Sequence, residues 1–513
     1  MRQSLDKDRT FISCRQLHYL LLAAIIFAVM LSYSNVIQGD LQFDDEVFIN
    51  SSLADMGPPS FFSFSNLKNY IYGSRSLPLY SFALNYHFSG LEVASYHITN
   101  IVIHAFTAIL LYYFTNMLIS LGRPDNELNF DSRPFALFVT AIFALHPLQT
   151  ESVSYIVQRS ELLASFCYLG CLIALLGFTV RKGTAALAWW LASILLFVAG
   201  WGCKEIIITA PLAYFICVLY IGGTEYLGRA WKGLVPYCFG AVTLACIKLL
   251  NLRGSMEAGF DSYQPGVLAY GLTQLKVVVT YLRLFVFPVG QNIDHDINII
   301  TRLWSVEAAA YLVIWLCIAL GSIYLLANCH GKHQASLRLV GFGLLWFLVI
   351  LLPTSSIIPI RDVMAEHRTY LPLAGLGIAF TAFSEMFLNN IKRIPGRSIA
   401  TLIACVGLTV MLMYATRQRN LVWQTKLALW QDAAAKSPNK SRPHNNLGNA
   451  YLLLGNASLA ANNYRTAIRL DPDNIEPYYN LALALKNLGR NDEALQMHRI
   501  FVNIVKRKTS AAK

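Results

Sequence analysis

Long apolar runs constrain what this chain can fold into more than any other feature of its sequence. Several approach the length of about 20 residues that a helix needs to cross a bilayer core, and flanking aromatic residues extend them. Because 55% of the residues are hydrophobic and only 14% are charged, lipid must cover part of the surface. We therefore expect an all-α, polytopic membrane protein. Its first run lacks a small-residue cleavage site before Gln38 and is expected to be a retained span. The clearest runs are 20–31, 101–118, 162–180, 185–200, 309–327 and 337–352.

The basic residues indicate how the helices are oriented. They cluster in short loops, which is typical of the cytoplasmic side of a membrane protein, so the net charge of +12 does not predict a nucleic-acid partner. The loops that then face outward are 38–95, 146–160, 204–205 and 353–371. The expected cytoplasmic groups are Arg2/Lys7/Arg9/Arg15, Arg123/Arg133, Arg181/Lys182, Arg229/Lys232, Lys332/Arg338 and Lys392/Arg393/Arg397.

One apolar stretch, 267–288, does not fit this alternation. Counting every run as a span gives about twelve crossings and returns the C-terminus to the cytoplasm, which puts charged loops on the wrong side. The stretch carries Lys276 and Arg283, and charge at membrane depth is tolerated only where it lines protein or water. We expect it to enter and leave from the outer side or to lie against the protein, leaving about eleven true spans within residues 1–416.

The C-terminal part of the chain is polar and repeats with a period of about 34 residues, the length of a tetratricopeptide (TPR) repeat. The phase extends backward through Trp430, so 421–435 is expected to form the second helix of a half repeat. We predict a connecting segment at 417–440 and an outward-facing α-solenoid of two repeats, 441–474 and 475–508. The repeated positions are His444, Leu447, Gly448, Tyr451, Ala460, Tyr464, Ala467 and Pro472, then Tyr478, Leu481, Ala482, Leu485 and Ala494.

Three adjacent carboxylates, Asp44, Asp45 and Glu46, open the first outer loop. Mutual repulsion is expected to raise the pKa of at least one of them unless a cation offsets it, and such a carboxylate suits general-base catalysis. A divalent cation bound at this loop is one way to offset the repulsion. The alternative is a solvated acidic turn with no chemical role.

A second polar group surrounds the entrance to a span. His146 ends one apolar run, and Arg159 and Glu161 begin the next. Polar side chains at such positions are costly if they face lipid, so they are expected to face a cavity. The alternative is ordinary capping by Ser160, with Glu161 in the first turn of the helix.

Charged residues recur at two further outer loops. Lys204 and Glu205 separate two apolar runs, and Glu366, His367 and Arg368 precede another span. Arginine binds phosphate through a bidentate fork and lysine as a point charge, so the pattern suits a lipid-linked phosphate at the membrane surface. The alternatives are a self-neutralising Lys204/Glu205 pair and an arginine that reaches toward lipid headgroups.

Motifs for metal or nucleotide chemistry are absent from the sequence. His367 and His295 lack the spacing of zinc ligands, and the ten cysteines contain no CxxC pair, so no metal site is predicted from these residues. The sequence contains no P-loop, GxGxxG, GxSxG or HExxH motif, which argues against nucleotide-driven transport and serine hydrolysis.

The chain resembles the transmembrane and TPR-containing O-mannosyltransferases and their bacterial relatives, within the wider GT-C class of lipid-phosphate-sugar-dependent glycosyltransferases. The most specific segments are HPLQTESVSYIVQRSELLA at 146–164 and AEHRTYLP at 365–372. The resemblance covers nearly the whole chain, and its other segments are FDDEVFIN at 43–50, SLPLYSFALNY at 76–86, YHITNIVIHAF at 96–106 and CKEIIITAPL at 203–212.

The resemblance implies roles for several residues. The family's acidic pair in the first lumenal or periplasmic loop is assigned as catalytic, which corresponds to Asp44 and Asp45. One of these would deprotonate or orient an acceptor hydroxyl, whose oxygen displaces the lipid phosphate and inverts the anomeric centre. From charge and membrane side rather than from the resemblance, we expect Arg159, Lys204 or Arg368 to stabilise the departing phosphate. Supporting roles are expected for Glu46, His146, Glu161, Glu205, Glu366, His367, Lys276 and Arg283.

The resemblance also implies the partners. The donor would be a hexose, mannose in the family, on a polyprenyl phosphate, and the acceptor a hydroxyl group of an exported protein. A lipid or polysaccharide acceptor and a non-enzymatic scaffold that recruits partners through its repeats are the alternatives. The repeat groove that would hold an acceptor is expected to include Asn445, Asn446, Asn449, Tyr479 and Asn480, unless these residues pack adjacent helices.

Two departures from the family pattern qualify the resemblance. The array of about two and a half repeats is short and looks bacterial. That favours an inner membrane with the catalytic loops and repeats in the periplasm, or the lumenal side of the endoplasmic reticulum in a eukaryote. The arginine expected before Pro78 is displaced to Arg75, which leaves its role open.

Overall fold

A computed structural model describes residues 14–46, 49, 75–122, 131–222, 224–251, 266–328, 334–356, 358–390 and 397–511. Helices and the loops that join them, the longest of which is 287–305, make up these residues, and no strand occurs among them. Part of the first outer loop, 50–74, and the expected cytoplasmic residues Arg2, Lys7, Arg9, Arg123, Lys332, Lys392 and Arg393 lie outside the described residues.

The helices of the membrane domain are α1 (Cys14–Tyr33), α2 (Ser76–Ser89), α3 (Val93–Leu121), α4 (Ser132–Leu145), α5 (Thr150–Ser154), α6 (Arg159–Val180), α7 (Gly183–Trp201), α8 (Ala210–Ile221), α9 (Thr224–Asn251), α10 (Val267–Val286), α11 (Val306–Asn328), α12 (Gln334–Leu351), α13 (Pro372–Asn390) and α14 (Arg397–Val422). The C-terminal helices are α15 (Lys426–Lys436), α16 (Ser441–Leu453), α17 (Ala457–Leu470), α18 (Glu476–Asn487) and α19 (Asn491–Ala511).

Eight helices in the described part of the chain are long and apolar enough to cross a bilayer, and three apolar helices are shorter. Together they match the expected number of about eleven spans. The eight long helices are Gln16–Val36, Val93–Leu121, Ile156–Val180, Gly183–Trp201, Tyr226–Ile247, Val306–Asn328, Gln334–Leu351 and Ile399–Val422. The three shorter ones are Ser132–Leu145, Glu205–Ile221 and Pro372–Leu388.

Small and aromatic residues hold the bundle together. A Cβ atom on Gly343 would lie 2.2 Å from the Gly375 carbonyl oxygen, so α12 and α13 approach each other through glycine. Beside this contact, the buried Trp346 ring packs against Phe114 and Phe342 at centroid distances of 5.2 and 5.9 Å. This core fixes the loops at the end of the bundle where α13 begins.

Helix α10 agrees with only one of the two alternatives expected for the stretch 267–288. It is one continuous helix, so the alternative in which this stretch turns back to the side it entered is wrong for these residues. One face is buried against the protein through Tyr270, Val277 and Tyr281, while Leu268 and Val286 are exposed. The helix therefore lies against the bundle, as the second alternative predicted.

The half repeat begins later than expected. Helix α14 continues to Val422, and α15 begins at Lys426, so the predicted helix at 421–435 starts five residues too early. The break occurs at Thr425, whose side chain accepts a hydrogen bond from the Ala428 amide at 3.1 Å and caps α15. Trp430 of α15 is buried together with Leu447 of the first repeat, as a half repeat requires.

Ion pairs attach the first repeat to the membrane domain. Arg442 donates from Nε and Nη2 to the two carboxylate oxygens of Asp294, both at 2.7 Å, and Nη2 also donates to Asp362 at 2.7 Å. Lys440 pairs with the same Asp294 carboxylate. Burial alone would raise the pKa of Asp294, but the two cations lower it, so the carboxylate stays ionised. The repeats are thereby held next to the loops described below.

Candidate active site

The predicted acidic loop forms a single helical turn, Asp44–Glu46, which we call the acidic turn. It follows Phe43, whose φ of 43° lies in the left-handed region. The Phe43 ring contacts Trp430 edge-on at a centroid distance of 5.6 Å. The turn is thus held between the end of the first span and helix α15.

Asp45 points into the protein. It is completely buried; its Oδ2 accepts a hydrogen bond from the Gln42 amide at 3.0 Å and its Oδ1 from the Val157 amide at 2.7 Å. Burial raises the pKa of Asp45 to about 7, although the backbone hydrogen bonds lower it. Oδ1 therefore joins the acidic turn to the start of the span that contains α6, and Oδ2 closes the turn onto the residue before Phe43.

Asp44 and Glu46 are the exposed carboxylates of the acidic turn. The Tyr155 hydroxyl accepts a hydrogen bond from the Asp44 amide at 3.1 Å and also bonds to the Asp44 side chain. Glu46 pairs with Lys426 of α15. Of the three carboxylates, Asp44 combines solvent access with a backbone fixed by a buried tyrosine.

The two most specific sequence blocks, 146–164 and 365–372, contact each other, and the first of them also contacts the acidic turn through Tyr155 and Val157. The Glu366 amide donates to Glu151 Oε2 at 3.0 Å, and Glu151 Oε1 lies 2.5 Å from His367 Nδ1. Glu366 Oε1 accepts from the Asn292 amide at 2.6 Å and lies 2.8 Å from His295 Nε2. We call Glu151, Glu366, His367 and His295 the carboxylate-histidine junction.

The two carboxylates of this junction differ in their affinity for protons. Burial and the neighbouring Glu366 raise the pKa of Glu151. Burial would also raise the pKa of Glu366, but the hydrogen bond and charge of His295 outweigh it and lower the pKa. Burial lowers the pKa of His367, and the positive charges of Lys204 and Arg368 lower it further. The junction thus favours a neutral Glu151 beside an ionised Glu366.

His146 caps the segment that leads to Glu151. Its Nδ1 accepts from the Leu148 amide at 3.2 Å, and its Nε2 lies 2.9 Å from the Phe285 carbonyl oxygen. Burial lowers the pKa of His146 to about 4, which keeps the ring neutral. Its position fits a supporting role through the backbone.

Lys204 and Glu161 form a buried ion pair between the loop after α7 and the first turn of α6. Glu161 Oε1 has no hydrogen-bond partner among the described residues. Glu205 begins a short 3-10 helix, Glu205–Thr209. Lys204 is thus paired with an acid from another segment of the chain.

Arg368 lies beside this pair. The arginine is 7% exposed, and its Nη1 and Nη2 donate to the carbonyl oxygens of Val363 and Asp362 at 3.2 and 2.6 Å. The charges of both Lys204 and Arg368 act on the imidazole of His367. The structure therefore brings two of the three predicted phosphate-binding cations together at one histidine.

Arg159, the third predicted cation, lies elsewhere. It is completely buried, and its guanidinium donates to Asn100 Oδ1 at 2.8 Å, Asn85 Oδ1 at 2.6 Å and the Tyr96 carbonyl at 3.1 Å. It also lies 4.1 Å above the Phe82 ring. These contacts pack α2 and α3 against α6, and the predicted contact of Arg159 with phosphate stays a prediction.

The two charged residues of α10 are also separate from the junction. Lys276 pairs with Glu307 at 2.8 Å, and the exposed Arg283 donates to the Val289 carbonyl at 3.2 Å. These partners of the two side chains lie outside the junction, so the supporting roles of Lys276 and Arg283 stay predictions.

Three of the five predicted groove residues pack the repeats. Asn480 Nδ2 donates to Asn445 Oδ1 at 3.1 Å, which joins the two repeats, and Asn445 is buried. Asn449 accepts a hydrogen bond from the Tyr464 hydroxyl at 2.8 Å. These contacts fit the packing alternative.

The other two groove residues differ, since Tyr479 is exposed whereas Asn446 is half-buried and its Oδ1 accepts a hydrogen bond from Asn445 Nδ2 at 3.3 Å. Tyr479 is 43% exposed, with its ring 5.4 Å from Phe501. Asn446 Nδ2 is buried and has no hydrogen-bond partner in the described part of the chain. Recognition of an acceptor through these two residues stays a prediction.

The acidic turn offers few free ligands for the divalent cation considered from the sequence. Asp45 binds backbone amides, and Glu46 is paired with Lys426. Within the described ranges, no group of three or more His, Cys, Asp or Glu side chains is arranged to hold a metal ion. A divalent cation at the acidic loop stays a prediction.

Sequence reasoning missed three residues that organise the site. Tyr155 lies within the block 146–164 and holds Asp44, but a tyrosine next to a span has no distinctive signal. Lys426 and Asp294 act through partners distant in sequence. Only co-variation between such positions would have revealed these pairs.

Comparisons with known proteins match both parts of the chain. A model of the TPR repeat matches residues 448–489. A protein O-mannosyl-transferase of Caenorhabditis elegans is 24% identical over 470 residues, covering 88% of this chain and 63% of the relative. Protein O-mannosyl-transferase TMTC4 of Mus musculus is 26% identical over 493 residues, covering 86% and 65%. Protein O-mannosyl-transferase Tmtc3 of Drosophila melanogaster is 23% identical over 477 residues, covering 83% and 51%.

These matches confirm the resemblance inferred from the sequence motifs. The chain spans about half to two thirds of the length of the relatives it matches. The similarity extends over the membrane domain as well as the repeats, since each match covers more than four fifths of this chain.

Proposed function

We propose that this protein is a membrane glycosyltransferase that moves a hexose, mannose by similarity, from a polyprenyl phosphate to hydroxyl groups of exported proteins. The observation that carries the proposal is the acidic turn, where an exposed Asp44 is held by Tyr155 beside a junction flanked by Lys204 and Arg368. The names of the relatives support mannosyl transfer to protein. In this proposal the catalytic loops and the repeats both lie on the periplasmic side of an inner membrane.

In this proposal Asp44 is the general base. Its carboxylate takes the proton of a serine or threonine hydroxyl while the hydroxyl oxygen attacks the anomeric carbon. The bond between that carbon and the phosphate oxygen breaks, and the polyprenyl phosphate leaves with the electron pair. Attack opposite to the leaving group inverts the anomeric centre.

Asp45 is a positioning residue in the same proposal. Its hydrogen bond from Gln42 closes the acidic turn and its hydrogen bond from Val157 fixes the turn against the span, so together they determine where Asp44 lies. A carboxylate whose oxygens both accept amide protons is poorly placed to accept one from a substrate. In this proposal Asp44 therefore transfers the proton, and Asp45 positions the acidic turn.

Lys204 and Arg368 stabilise the departing phosphate. Both are already oriented by contacts with the protein, so little reorganisation is needed when negative charge develops on the leaving group. The Glu161 partner neutralises Lys204 in the resting state and reduces the cost of burying it.

The test is a transfer assay on the purified full chain in detergent. Radiolabelled polyprenyl-phosphate mannose is supplied with exported proteins, and the label is followed into protein and, separately, into lipid and polysaccharide fractions. We expect transfer to protein by the wild type and none when the donor is a nucleotide sugar. Failure to transfer from any of a panel of polyprenyl-phosphate sugars contradicts the proposal, and label only in lipid or polysaccharide contradicts the acceptor class.

A further inference from the structure

His367 presents one imidazole nitrogen to the surroundings of the site. Its Nδ1 is engaged with Glu151 Oε1 at 2.5 Å, and its carbonyl oxygen accepts from Ser152 Oγ at 3.4 Å. The side chain is 16% exposed. In the part of the chain that is described, Nε2 makes no hydrogen bond and is not one of the buried, unpartnered atoms. Nε2 is therefore the ring atom that a ligand can reach.

The charges around His367 favour an anionic ligand. Lys204 and Arg368 act on the imidazole from two segments, and the acids that face it are Glu151, Glu161 and Asp362. Glu161 is paired with Lys204, and Asp362 with Arg442. Lys204 and Glu161 thus offset each other and Arg442 offsets Asp362, which leaves Arg368 as the further positive charge that acts on the ring.

The contact with Glu151 determines which nitrogen carries the proton. An anionic ligand at Nε2 selects the tautomer with the hydrogen on Nε2, because this N–H group can donate to phosphate, whereas the other tautomer directs a lone pair outward. Glu151 supports this tautomer in its neutral form, which burial favours, because the acid then donates from Oε1 to Nδ1 at 2.5 Å.

We propose that His367 Nε2 donates a hydrogen bond to the phosphate of the polyprenyl donor, with Glu151 as the positioning residue that fixes its tautomer. This assignment rests on the proposed function, because the ligand is the donor of that reaction. His367 binds the phosphate and transfers no proton, which leaves base catalysis to Asp44. The same contact holds the phosphate of the leaving polyprenyl phosphate after transfer.

The test measures binding of sugar-free polyprenyl phosphate to the full chain in detergent, by ³¹P NMR and by native mass spectrometry. His367→Asn keeps a polar group near Nδ1 but has none near Nε2, so we expect binding to weaken about 10-fold or more. His367→Gln places an amide near Nε2 and is expected to bind more tightly than the Asn variant. His498→Asn, at an exposed histidine of α19, is the matched control and is expected to bind like the wild type.

Glu151 variants separate positioning from packing. The Gln side chain in Glu151→Gln can still accept from the Glu366 amide and donate to His367 Nδ1, so it enforces the proton on Nε2 and should retain phosphate binding. Glu151→Leu fills the space without a donor and should lose binding as His367→Asn does. Loss of binding in Glu151→Gln, with a wild-type thermal midpoint, would overturn the positioning role.

The outcomes distinguish this assignment from the proposed function. A wild type that does not bind polyprenyl phosphate overturns both, whereas equal binding by the wild type and His367→Asn overturns only the assignment. In a second arm inorganic phosphate replaces the lipid as the probe, and we expect weaker binding with the same ranking of variants. Variants that differ for the lipid but not for inorganic phosphate would show that His367 acts on the chain of the lipid, contrary to the assignment.

Discussion

The acidic turn contains three adjacent carboxylates and the carboxylate-histidine junction two, and the surroundings of these carboxylates differ. In the acidic turn, Asp45 is buried and satisfied by backbone amides, while Asp44 is left at the surface. In the junction, Glu151 and Glu366 are both buried, and each is bound to a histidine and to a backbone amide. A buried carboxylate needs such partners, because burying an unpaired polar group is costly.

Solvent access determines which of these carboxylates can transfer a proton to or from a substrate. A carboxylate with all its acceptor positions filled holds the backbone in place, and one with solvent access can exchange a proton with a substrate. In the proposed function the junction is a scaffold that presents His367, and the acidic turn contains both a scaffold residue, Asp45, and a reactive one, Asp44.

The largest expected effect is that of removing the fully buried acid of the junction. Glu366→Ala leaves the Asn292 amide and His295 without their acceptor, and we expect a loss of about 3–5 kcal/mol in the free energy of unfolding. The loop that carries Asp294 should loosen with it. Thermal unfolding in detergent measures this, and a midpoint equal to that of the wild type would show that the junction is not a scaffold.

The buried acid of the acidic turn should give a pH-dependent stability. An aspartate in an unfolded chain has a pKa near 4, whereas burial raises the pKa of Asp45 to about 7. Between these values the folded protein binds more protons, so the free energy of unfolding decreases as pH rises from about 4 to about 7 and is constant above. Comparing the pH dependence of the thermal midpoint in wild type and Asp45→Asn isolates this contribution, and an unchanged slope in the variant contradicts it.

A smaller effect is expected where the repeats meet the membrane domain. Asp294→Asn removes the charge that pairs with Lys440 and Arg442, leaving Arg442 with Asp362 alone. We expect a loss of about 1–3 kcal/mol and faster proteolysis between α14 and α16. Asp473→Asn, at an exposed acid of the repeats, is the control. Equal proteolysis of the two variants would mean that the ion pairs do not hold the repeats.

The smallest effect on stability is expected from removing the ion pair between Glu46 of the acidic turn and Lys426. Glu46→Gln removes the partner of Lys426, and since Glu46 is solvent-exposed we expect less than about 1 kcal/mol. Transfer activity should fall less than in any Asp44 variant. Activity as low as that of Asp44→Asn would move the catalytic role to Glu46.

The sequence predicted the helical membrane domain, the two repeats and the segments that meet at the site. These features depend on local patterns, namely apolar length, a fixed repeat period and charges beside spans. It did not predict that Lys204 pairs with Glu161, that Arg159 is enclosed by Asn85 and Asn100, or that α15 begins at Lys426. Those outcomes depend on contacts between distant segments, which no local pattern contains.

The roles within the acidic turn illustrate the same limit. Asp44 and Asp45 are chemically identical and adjacent, so composition and spacing cannot separate them. The left-handed backbone at Phe43 and the amide of Val157 decide which side chain points inward. A contact made across more than a hundred residues therefore decides which aspartate is buried.

The roles proposed for Asp44 and Asp45 are tested most directly by comparing the variants Asp44→Asn and Asp45→Asn. Both are measured in the same transfer assay and in the same thermal unfolding experiment, with Asp473→Asn as the control. We expect Asp44→Asn to lose transfer by about 100-fold or more at a wild-type midpoint. Asp45→Asn should lose transfer together with a lowered midpoint, since its amide cannot accept both backbone hydrogen bonds. An active Asp44→Asn, or an inactive Asp45→Asn with unchanged stability, would contradict the division between a reactive Asp44 and a positioning Asp45.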